Sequence, residues 1–303
     1  MLKQFTVIGN CQSDAVVQFL LCNCNFNNKF KYITVKNIHS MNNHDLDDLY
    51  CNILPKLDLI IIQPISENYK NNIRYSTKSI LNNINPLCIS ILIPSLYFNL
   101  YHPFLTYIYD SNSEGWKLGT PYDYHDKNII KLYIDNKNNN SNIESIIDKY
   151  KELLNNPNIY NDMFFNKSLT KNINNLKERE HRYINYCIES THIINSSDFI
   201  FNNYKNNLLF YSINHPTKYL FRYISNSIFI ILNIQLEEYP EHIDPLKSLI
   251  MPVYKCLQNQ VHFNVDEYKD FMHYDIILEN ENVINSYIDS YNNISIDILK
   301  QNL

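Results

Sequence analysis

Glycine and arginine are scarce in this chain of 303 residues, which has three Gly and four Arg. Glycine normally makes up about 7 % of a protein. Heavy use of Asn, Ile, Tyr and Lys is instead the bias expected of an AT-rich coding sequence. The few Gly and Arg that remain therefore mark positions where the residue type matters.

A strong net charge and a long apolar run are also missing. The formal net charge is −5, so we expect no broad basic surface for nucleic acid, and a polyanionic ligand needs a local cluster of donors. The most apolar helix candidate, residues 219–234, is interrupted by Arg222, Asn226 and Asn233. We therefore predict a soluble protein without a membrane span.

Cysteine is present, but without a pattern. The seven Cys are scattered and odd in number, and no CxxC pair occurs among them. Reduced thiols in a cytoplasmic protein fit this usage. The chain also lacks GxGxxG, Walker, HExxH and GxSxG motifs and any clustered metal ligands, so we expect no metal cofactor.

Short apolar runs alternate with helical patterns over the first hundred residues. The runs at residues 5–8, 32–35, 57–62 and 88–93 are typical of strands, and helical patterns cover residues 14–21, 45–53 and 76–84. This alternation predicts an α/β fold with a mainly parallel, doubly wound sheet of the Rossmann kind.

The second half of the chain is more helical. Residues 143–189 have a long helical pattern with a break near Pro157, and residues 208–213 return to strand character and are predicted to rejoin the sheet. We predict one domain over residues 1–303. Its parts are a sheet core (1–135 and 205–235), a helical insertion (140–200) and a helical C-terminal tail (240–303).

The turn Gly9-Asn10-Cys11-Gln12 connects the first strand to the first helix. A glycine there allows positive φ or the close approach of a ligand. Ligands of open α/β sheets bind beyond the carboxyl ends of the strands, and a helix N-terminus favours an anion or a thiolate. Cys11 is therefore either a nucleophile or a small residue beside an oxyanion hole, and its neighbours in the turn are candidate oxyanion and substrate ligands.

Three other strand exits carry polar side chains towards the same edge. Gln63 ends a buried strand with an amide that can donate to a carbonyl or a sugar hydroxyl. His102 and His215 each precede a proline after a strand, where an imidazole can exchange a proton. We take both histidines as catalytic candidates and Asn214 as a candidate substrate ligand.

The remaining candidates are aromatic and basic. Tyr124 and His125 are possible sugar ligands just before a helix that Asp126 is expected to cap. Arg179 lies in a charged helix, and Arg74 and Arg222 lie close to the motifs above. Arginine is suited to bidentate contacts with phosphate, so these three are candidate phosphate ligands.

Taken in order, seven segments resemble the WcbI-type family of capsular polysaccharide biosynthesis acetyltransferases. They are VIGNCQ (7–12), IIQPIS (61–66), LYHP (100–103), YDYHD (122–126), LKERE (176–180), LFYSINHPT (209–217) and MPVYKCL (251–257). The order of the segments makes the resemblance specific. It implies a protein that binds coenzyme A, takes an acetyl group from acetyl-CoA and places it on a sugar, nucleotide sugar or glycan.

The first turn is also similar to that of SGNH hydrolases, in which Ser follows Gly-Asp. Here Asn10-Cys11 stands in that place. The base His of those enzymes has an Asp three residues before it, whereas Ser212 precedes His215. The resemblance therefore implies a nucleophile and a base but does not supply the acid of a triad.

Three hypotheses follow. The first is acyl transfer, through an acetyl-Cys11 intermediate or by direct attack of the sugar on the thioester. The second is a carbohydrate esterase that uses water as the acceptor. The third is a glycan-binding protein without catalysis.

Overall fold

The computed structural model describes residues 2–110, 124–139, 143–186, 188, 190–273, 276–278 and 280–303. Residues 122 and 123 of the YDYHD segment lie outside this part of the chain.

The secondary-structure elements are numbered in chain order. The strands are β1 (Lys3–Ile8), β2 (Phe30–Tyr32), β3 (Leu59–Ile62), β4 (Ile89–Leu92), β5 (Leu105–Thr106), β6 (His125–Asp126), β7 (His192–Ile193), β8 (Phe210–Ser212), β9 (His215–Pro216), β10 (Leu249–Ile250), β11 (Phe271–His273) and β12 (Ile276–Leu278). The helices are α1 (Gln12–Leu21), α2 (Cys24–Asn27), α3 (Asn43–Asp48), α4 (Thr77–Leu81), α5 (Lys127–Asn139), α6 (Ile143–Asn155), α7 (Asp162–Tyr183), α8 (Ser197–Asn203), α9 (Lys218–Ile231), α10 (Asn280–Tyr291) and α11 (Ile296–Gln301).

The chain divides into two compact units. The first consists of Met1–Tyr97, Ile173–Tyr204 and His215–Leu246, and the second of Phe98–Asn172, Lys205–Asn214 and Lys247–Leu303. The predicted boundaries of sheet core, insertion and tail within one domain stay a prediction.

A five-stranded parallel sheet forms the centre of the first unit. Its strand order is β2-β1-β3-β4-β7. In register, Ile8 lies beside Ile62, and Ile62 lies beside Leu92. The order reverses between β1 and β3, which is the switch point where open α/β sheets of this order bind ligands. The predicted α/β fold with a parallel sheet is confirmed.

Helices cover both faces of this sheet because successive strand side chains point to opposite sides. Ile8, Ile60 and Ile62 pack into one core with apolar residues of α3 and α4. On the other face, Phe5 contacts Phe26 of α2 with ring centroids 4.9 Å apart, and α1 packs against α9. Burial of these runs on both faces explains why the strands have continuous apolar sequences instead of alternating ones.

The second unit has an aromatic core. Phe98 stacks on Phe210 with ring centroids 5.4 Å apart, and Tyr287 stacks on Tyr291 at 6.1 Å. Helices α5, α6 and α10 contact one another, and β10, β11 and β12 form an antiparallel sheet.

Two predictions about individual elements are wrong. Residues 208–213 do not rejoin the parallel sheet; β8 lies in the second unit, where the carbonyl of Tyr211 accepts a hydrogen bond from the N–H of Met251 at 2.9 Å. The fifth strand of the sheet is β7, which is only two residues long and pairs with β4. The C-terminal tail is not purely helical either, since β10, β11 and β12 belong to it. Among the described residues, no helix has both the length and the apolar character to cross a bilayer.

Candidate functional site

The turn after β1 is fixed by hydrogen bonds to Asn10. Its side-chain oxygen accepts from the N–H of Gln12 at 2.9 Å, and its carbonyl accepts from the N–H and hydroxyl of Ser13 at 2.9 and 2.7 Å. Cys11 is half-buried and lies in the helical region of backbone space immediately before α1. The thiol is thus carried at the N-terminus of a helix, at the switch point of the sheet.

The buried side chains of Gln12 and Gln63 form a hydrogen-bond network beside this turn. The Gln63 side-chain oxygen accepts from the N–H of Asn10 at 2.9 Å. The Gln63 amide nitrogen donates to the Gln12 side-chain oxygen at 2.9 Å and to the carbonyl of Pro94 at 3.3 Å. Gln12 in turn donates to the carbonyl of Leu96 and accepts from its N–H, at 2.9 and 3.0 Å. The ends of β1, β3 and β4 are thereby joined through these two amides, and both amide hydrogens of Gln63 are engaged in that connection.

Gly9 is required by the close approach of Gln63. A Cβ atom at position 9 would lie 2.3 Å from the Gln63 side-chain oxygen and 2.9 Å from its amide carbon. Gly9 does not have the positive φ considered above. The glycine is therefore explained by a protein side chain that crosses it.

A cleft of ≈ 430 Å³ opens beside this turn, within the first unit. Gly9, Asn10, Gln63 and Ser95 line it at the ends of the strands. The rest of its wall is formed by basic and aromatic side chains and by loop residues, namely Ile38, His39, Pro64, Ile65, Ser66, Tyr69, Arg179, Arg182, Tyr183 and Tyr186.

Two arginines bring positive charge to this cleft. The Arg179 guanidinium carbon lies 5.7 Å from the ring centroid of Tyr97, and Arg179 donates to the carbonyls of Tyr97 and Asn175, both at 3.1 Å. Burial lowers the pKa of Arg179, with the neighbouring charge of Arg182 acting in the same direction. Arg182 is exposed. Two guanidinium groups on one wall favour a ligand with phosphate groups.

Lys70 supports the loop that carries His39. The Lys70 ammonium donates to the carbonyls of His39 and Met41 at 2.7 and 3.1 Å and lies 5.1 Å from the ring centroid of Tyr75. Lys70 and Asn71 both have positive φ, of 50° and 52°. Backbone strain of this kind often accompanies ligand sites.

The other two predicted phosphate ligands are in ion pairs and do not line the cleft. Arg74 contacts Asp47 at 2.8 Å and lies over the ring of Tyr50. Arg222 contacts Glu241 at 3.0 Å. The sequence did not distinguish Arg179 from these two, because ion pairing depends on partners distant in the chain.

Cys11 and His215 precede two helices that run side by side. Phe19 of α1 stacks on Phe221 of α9, and Phe26 of α2 contacts Phe229, each at 5.7 Å between ring centroids. These contacts pack the segment that follows Cys11 against the helix that follows the half-buried His215. The predicted convergence of the Cys11 thiol and the His215 imidazole stays a prediction.

The remaining predicted residues belong to the second unit. His102 is buried, with its Nε2 3.4 Å from the carbonyl of Phe210, and burial lowers its pKa to about 4. Tyr124 donates a hydrogen bond to the side-chain oxygen of Asn214. The Nδ1 atom of His125 lies 2.8 Å from the Tyr291 hydroxyl.

A buried carboxylate beside these residues was predicted only as a helix cap. Asp126 does cap α5, accepting from the N–H of Asn128 at 2.7 Å. It also accepts from the hydroxyls of Tyr254 and Tyr150, at 2.7 and 3.1 Å. Burial raises the pKa of Asp126 to about 6. The tyrosines are too distant in sequence for a pattern to reveal this cluster.

The part of the chain that the structure describes contains no group of three His, Cys, Asp or Glu side chains placed to hold a metal ion.

Comparison with known proteins identifies the family. Residues 4–237 match the model of a family described as "Polysaccharide biosynthesis enzyme WcbI". A solved structure of WcbI, described as a novel polysaccharide biosynthesis enzyme in a native form without a disulfide bond between CoA and one of its cysteines, is 19 % identical in sequence. The match covers 99 % of this chain and 93 % of that chain, with a TM-score of 0.81. No curated protein matches the chain. Because the family model spans most of the sequence, the chain belongs to the WcbI family of polysaccharide biosynthesis enzymes.

Proposed function

We propose that the protein transfers an acetyl group from acetyl-CoA to a hydroxyl or amine of a sugar, nucleotide sugar or glycan. One observation carries this proposal: Gly9 and Asn10, which directly precede Cys11, line a cleft whose wall also holds Arg179 and Arg182. A thiol at a helix N-terminus suits reaction with a thioester, and paired guanidinium groups suit the phosphates of its CoA carrier.

The solved relative supports CoA as the donor. It is described as a native form without a disulfide bond between CoA and one of its cysteines, which names CoA together with a cysteine. We assign the corresponding position here to Cys11. A cytoplasmic location agrees with this donor, and the six described cysteines are free thiols, as expected in a reducing compartment.

In the covalent route, His215 takes the proton from Cys11 and the thiolate attacks the thioester carbonyl. The C–S bond to CoA then breaks, and the departing thiolate receives the proton from His215. The acceptor oxygen or nitrogen attacks acetyl-Cys11 in the second half, giving its proton to His215 and returning Cys11 as a thiolate. In the direct route, His215 deprotonates the acceptor, which attacks the thioester carbonyl of acetyl-CoA itself. The C–S bond then breaks, and the CoA thiolate receives the proton from His215.

The oxyanion that forms in either route needs hydrogen-bond donors. We assign this role to the side-chain NH₂ group of Asn10 and to the positive end of the α1 dipole, because the N–H groups of Gln12 and Ser13 already bind Asn10. One such donor contributes about 3–4 kcal/mol to transition-state stabilisation. Gln12 and Gln63 position these groups through the contacts described above. We assign a structural role to His102 because it is buried against a carbonyl. The sugar-binding role of Tyr124, His125 and Asn214 stays a prediction.

The test measures release of the CoA thiol from acetyl-CoA in the presence of candidate sugars, together with the intact mass of the protein. For the covalent route we expect an acetylated protein whose modification is lost in Cys11→Ala, with turnover reduced by about 10³-fold or more. Cys51→Ala is the matched control, because Cys51 is an exposed free thiol outside the cleft.

Each alternative has its own result. Near-normal turnover of Cys11→Ala excludes the covalent route and leaves direct transfer. Acetate release from an acetylated sugar without CoA indicates an esterase. The similarity of the first turn to that of SGNH hydrolases favours this alternative. Absence of both turnover and CoA binding contradicts the proposal.

A further inference from the structure

Glu180 is a buried carboxylate near the end of α7, next to the two arginines of the cleft. Its side chain accepts hydrogen bonds from the N–H groups of Ser196 and Ser197 at 2.6 and 2.8 Å. It also accepts from the hydroxyls of Ser197 and Ser196 at 2.5 and 3.3 Å. Glu180 is 8 % exposed. Four donors thus converge on one carboxylate that the proposed chemistry does not use.

These contacts fix the rotation of the end of α7. A helix turns by about 100° per residue, so Arg179, Arg182 and Tyr183 project to one side, roughly 60–160° away from Glu180. Those three residues line the cleft, whereas Glu180 points to the start of α8. An anchored Glu180 therefore determines where both guanidinium groups are presented.

Glu180 also replaces the N-terminal cap of α8. Ser196 precedes α8 and makes no capping hydrogen bond with its own side chain. A carboxylate at the N-terminus of α8 accepts hydrogen bonds from the first N–H groups of that helix, and the helix dipole favours its negative charge. Helix α8 itself packs on α9, because Phe199 stacks on Tyr223 with ring centroids 4.3 Å apart. The hydrogen bonds of Glu180 therefore connect the end of α7, which carries both arginines, to α8. Through α8 they connect it to α9, the helix that follows His215.

We propose that Glu180 is a positioning residue that holds Arg179 and Arg182 in place for the phosphate groups of the acyl donor. This inference rests on the proposed use of a CoA thioester. A guanidinium pair held in place before binding loses less conformational entropy when it contacts phosphate. Glu180 itself does not touch the donor.

The diagnostic variant is Glu180→Gln. The glutamine keeps the size of the side chain, and its oxygen can still accept from the N–H groups of Ser196 and Ser197, which bind the same Glu180 oxygen. The substitution removes the charge that strengthens all four hydrogen bonds, so the end of α7 is held less firmly. We expect the Kd for CoA, measured by titration calorimetry, to rise about tenfold, the effect of losing about one charge-assisted contact. Pantetheine, which lacks the phosphates, should bind the variant and the parent equally.

Glu178→Gln is the matched control. Glu178 is exposed on the same helix, two residues away, and its substitution removes the same charge. If loss of negative charge near the arginines were the cause, both variants would change CoA affinity alike. We expect Glu178→Gln to leave the Kd within about twofold of the parent, as is usual for a surface substitution.

Coupling to the arginines separates positioning from general destabilisation. In an Arg179→Gln/Arg182→Gln background, Glu180→Gln should have no further effect on the Kd for CoA. Ser197→Ala removes only the 2.5 Å hydrogen bond from the Ser197 hydroxyl to Glu180, so it should raise the Kd for CoA by a smaller factor. This variant replaces Glu180→Gln in the test if Glu180→Gln does not fold.

The inference is overturned if Glu180→Gln leaves CoA affinity unchanged, weakens pantetheine equally, or has the same effect without the arginines. For Ser197→Ala, an unchanged affinity overturns it as well. Failure of the parent protein to bind CoA at all is a different outcome, because it contradicts the proposed function itself.

Discussion

Substitution of Gly9 by alanine tests whether the glutamine pair holds the turn that carries Cys11. The new Cβ atom would lie 2.3 Å from the Gln63 side-chain oxygen. Ordinary van der Waals separation requires that oxygen to move by roughly 1 Å or more. The hydrogen bonds from Asn10 to Gln63 and from Gln63 to Gln12, both 2.9 Å long, would then exceed hydrogen-bonding distance.

The expected decrease in the free energy of unfolding follows from the loss of those two hydrogen bonds. Gln12 and Gln63 are 1 % and 2 % exposed, so the separated groups cannot turn to water. Each buried group left without a partner costs about 1–3 kcal/mol. The lower chain entropy of alanine in the unfolded state offsets about 0.4–1 kcal/mol. We expect Gly9→Ala to lower the free energy of unfolding by about 1–5 kcal/mol, measured by urea denaturation followed by circular dichroism.

The double variant Gly9→Ala/Gln63→Ala supplies the control. Gln63→Ala removes the atoms that the new Cβ would meet, so alanine at position 9 should cost little in that background. A Gly9→Ala variant as stable as the parent, or one whose cost is the same with and without the Gln63 side chain, would refute this explanation of Gly9.

Two further predictions concern the cleft and the buried titratable groups. Arg179→Gln and Arg182→Gln should each raise the KM for acetyl-CoA by about tenfold or more and leave kcat and the KM for acetyl-pantetheine nearly unchanged; a fall in kcat alone would contradict a phosphate-binding role. Burial raises the pKa of Asp126 from 3.8 to about 6, so its contribution to stability is complete below pH 3.8 and is lost as the pH rises through 6. Burial lowers the pKa of His102 from 6.5 to about 4, so its contribution is lost as the pH falls from 6.5 to 4. Asp126→Asn should remove the pH dependence due to Asp126 and keep the one due to His102. In urea denaturation, the free energy of unfolding of the parent relative to the variant should therefore fall by about 3 kcal/mol between pH 4 and 7. Parallel pH profiles of the two proteins would contradict this.

The sequence predicted the sheet well where the strands are buried on both faces. The runs that became β1, β3 and β4 are continuous and apolar, and the helical patterns between them require parallel connections. By contrast, β7 has two residues and no pattern of its own, and β8 has the same apolar character as a sheet strand. Which short segment pairs with β4 depends on contacts between distant parts of the chain, and local periodicity does not contain that information.

The sequence predicted only part of the candidate site. Strand ends of a parallel sheet meet at one edge, so the sequence brought Gly9, Cys11 and Gln63 to the same place. It did not predict that Gln63 contacts Gln12, nor that Glu180 contacts Ser196 and Ser197, since these contacts depend on side-chain directions in the folded protein. The scarcity of arginine drew attention to Arg179, but only the structure separated it from the ion-paired Arg74.

A crystal structure of the protein with CoA bound tests the central claim most directly. We predict the CoA sulfur beside the Cys11 thiol and phosphate oxygens in contact with Arg179 and Arg182. CoA bound away from this cleft, or its absence from crystals soaked at saturating concentration, would contradict the account.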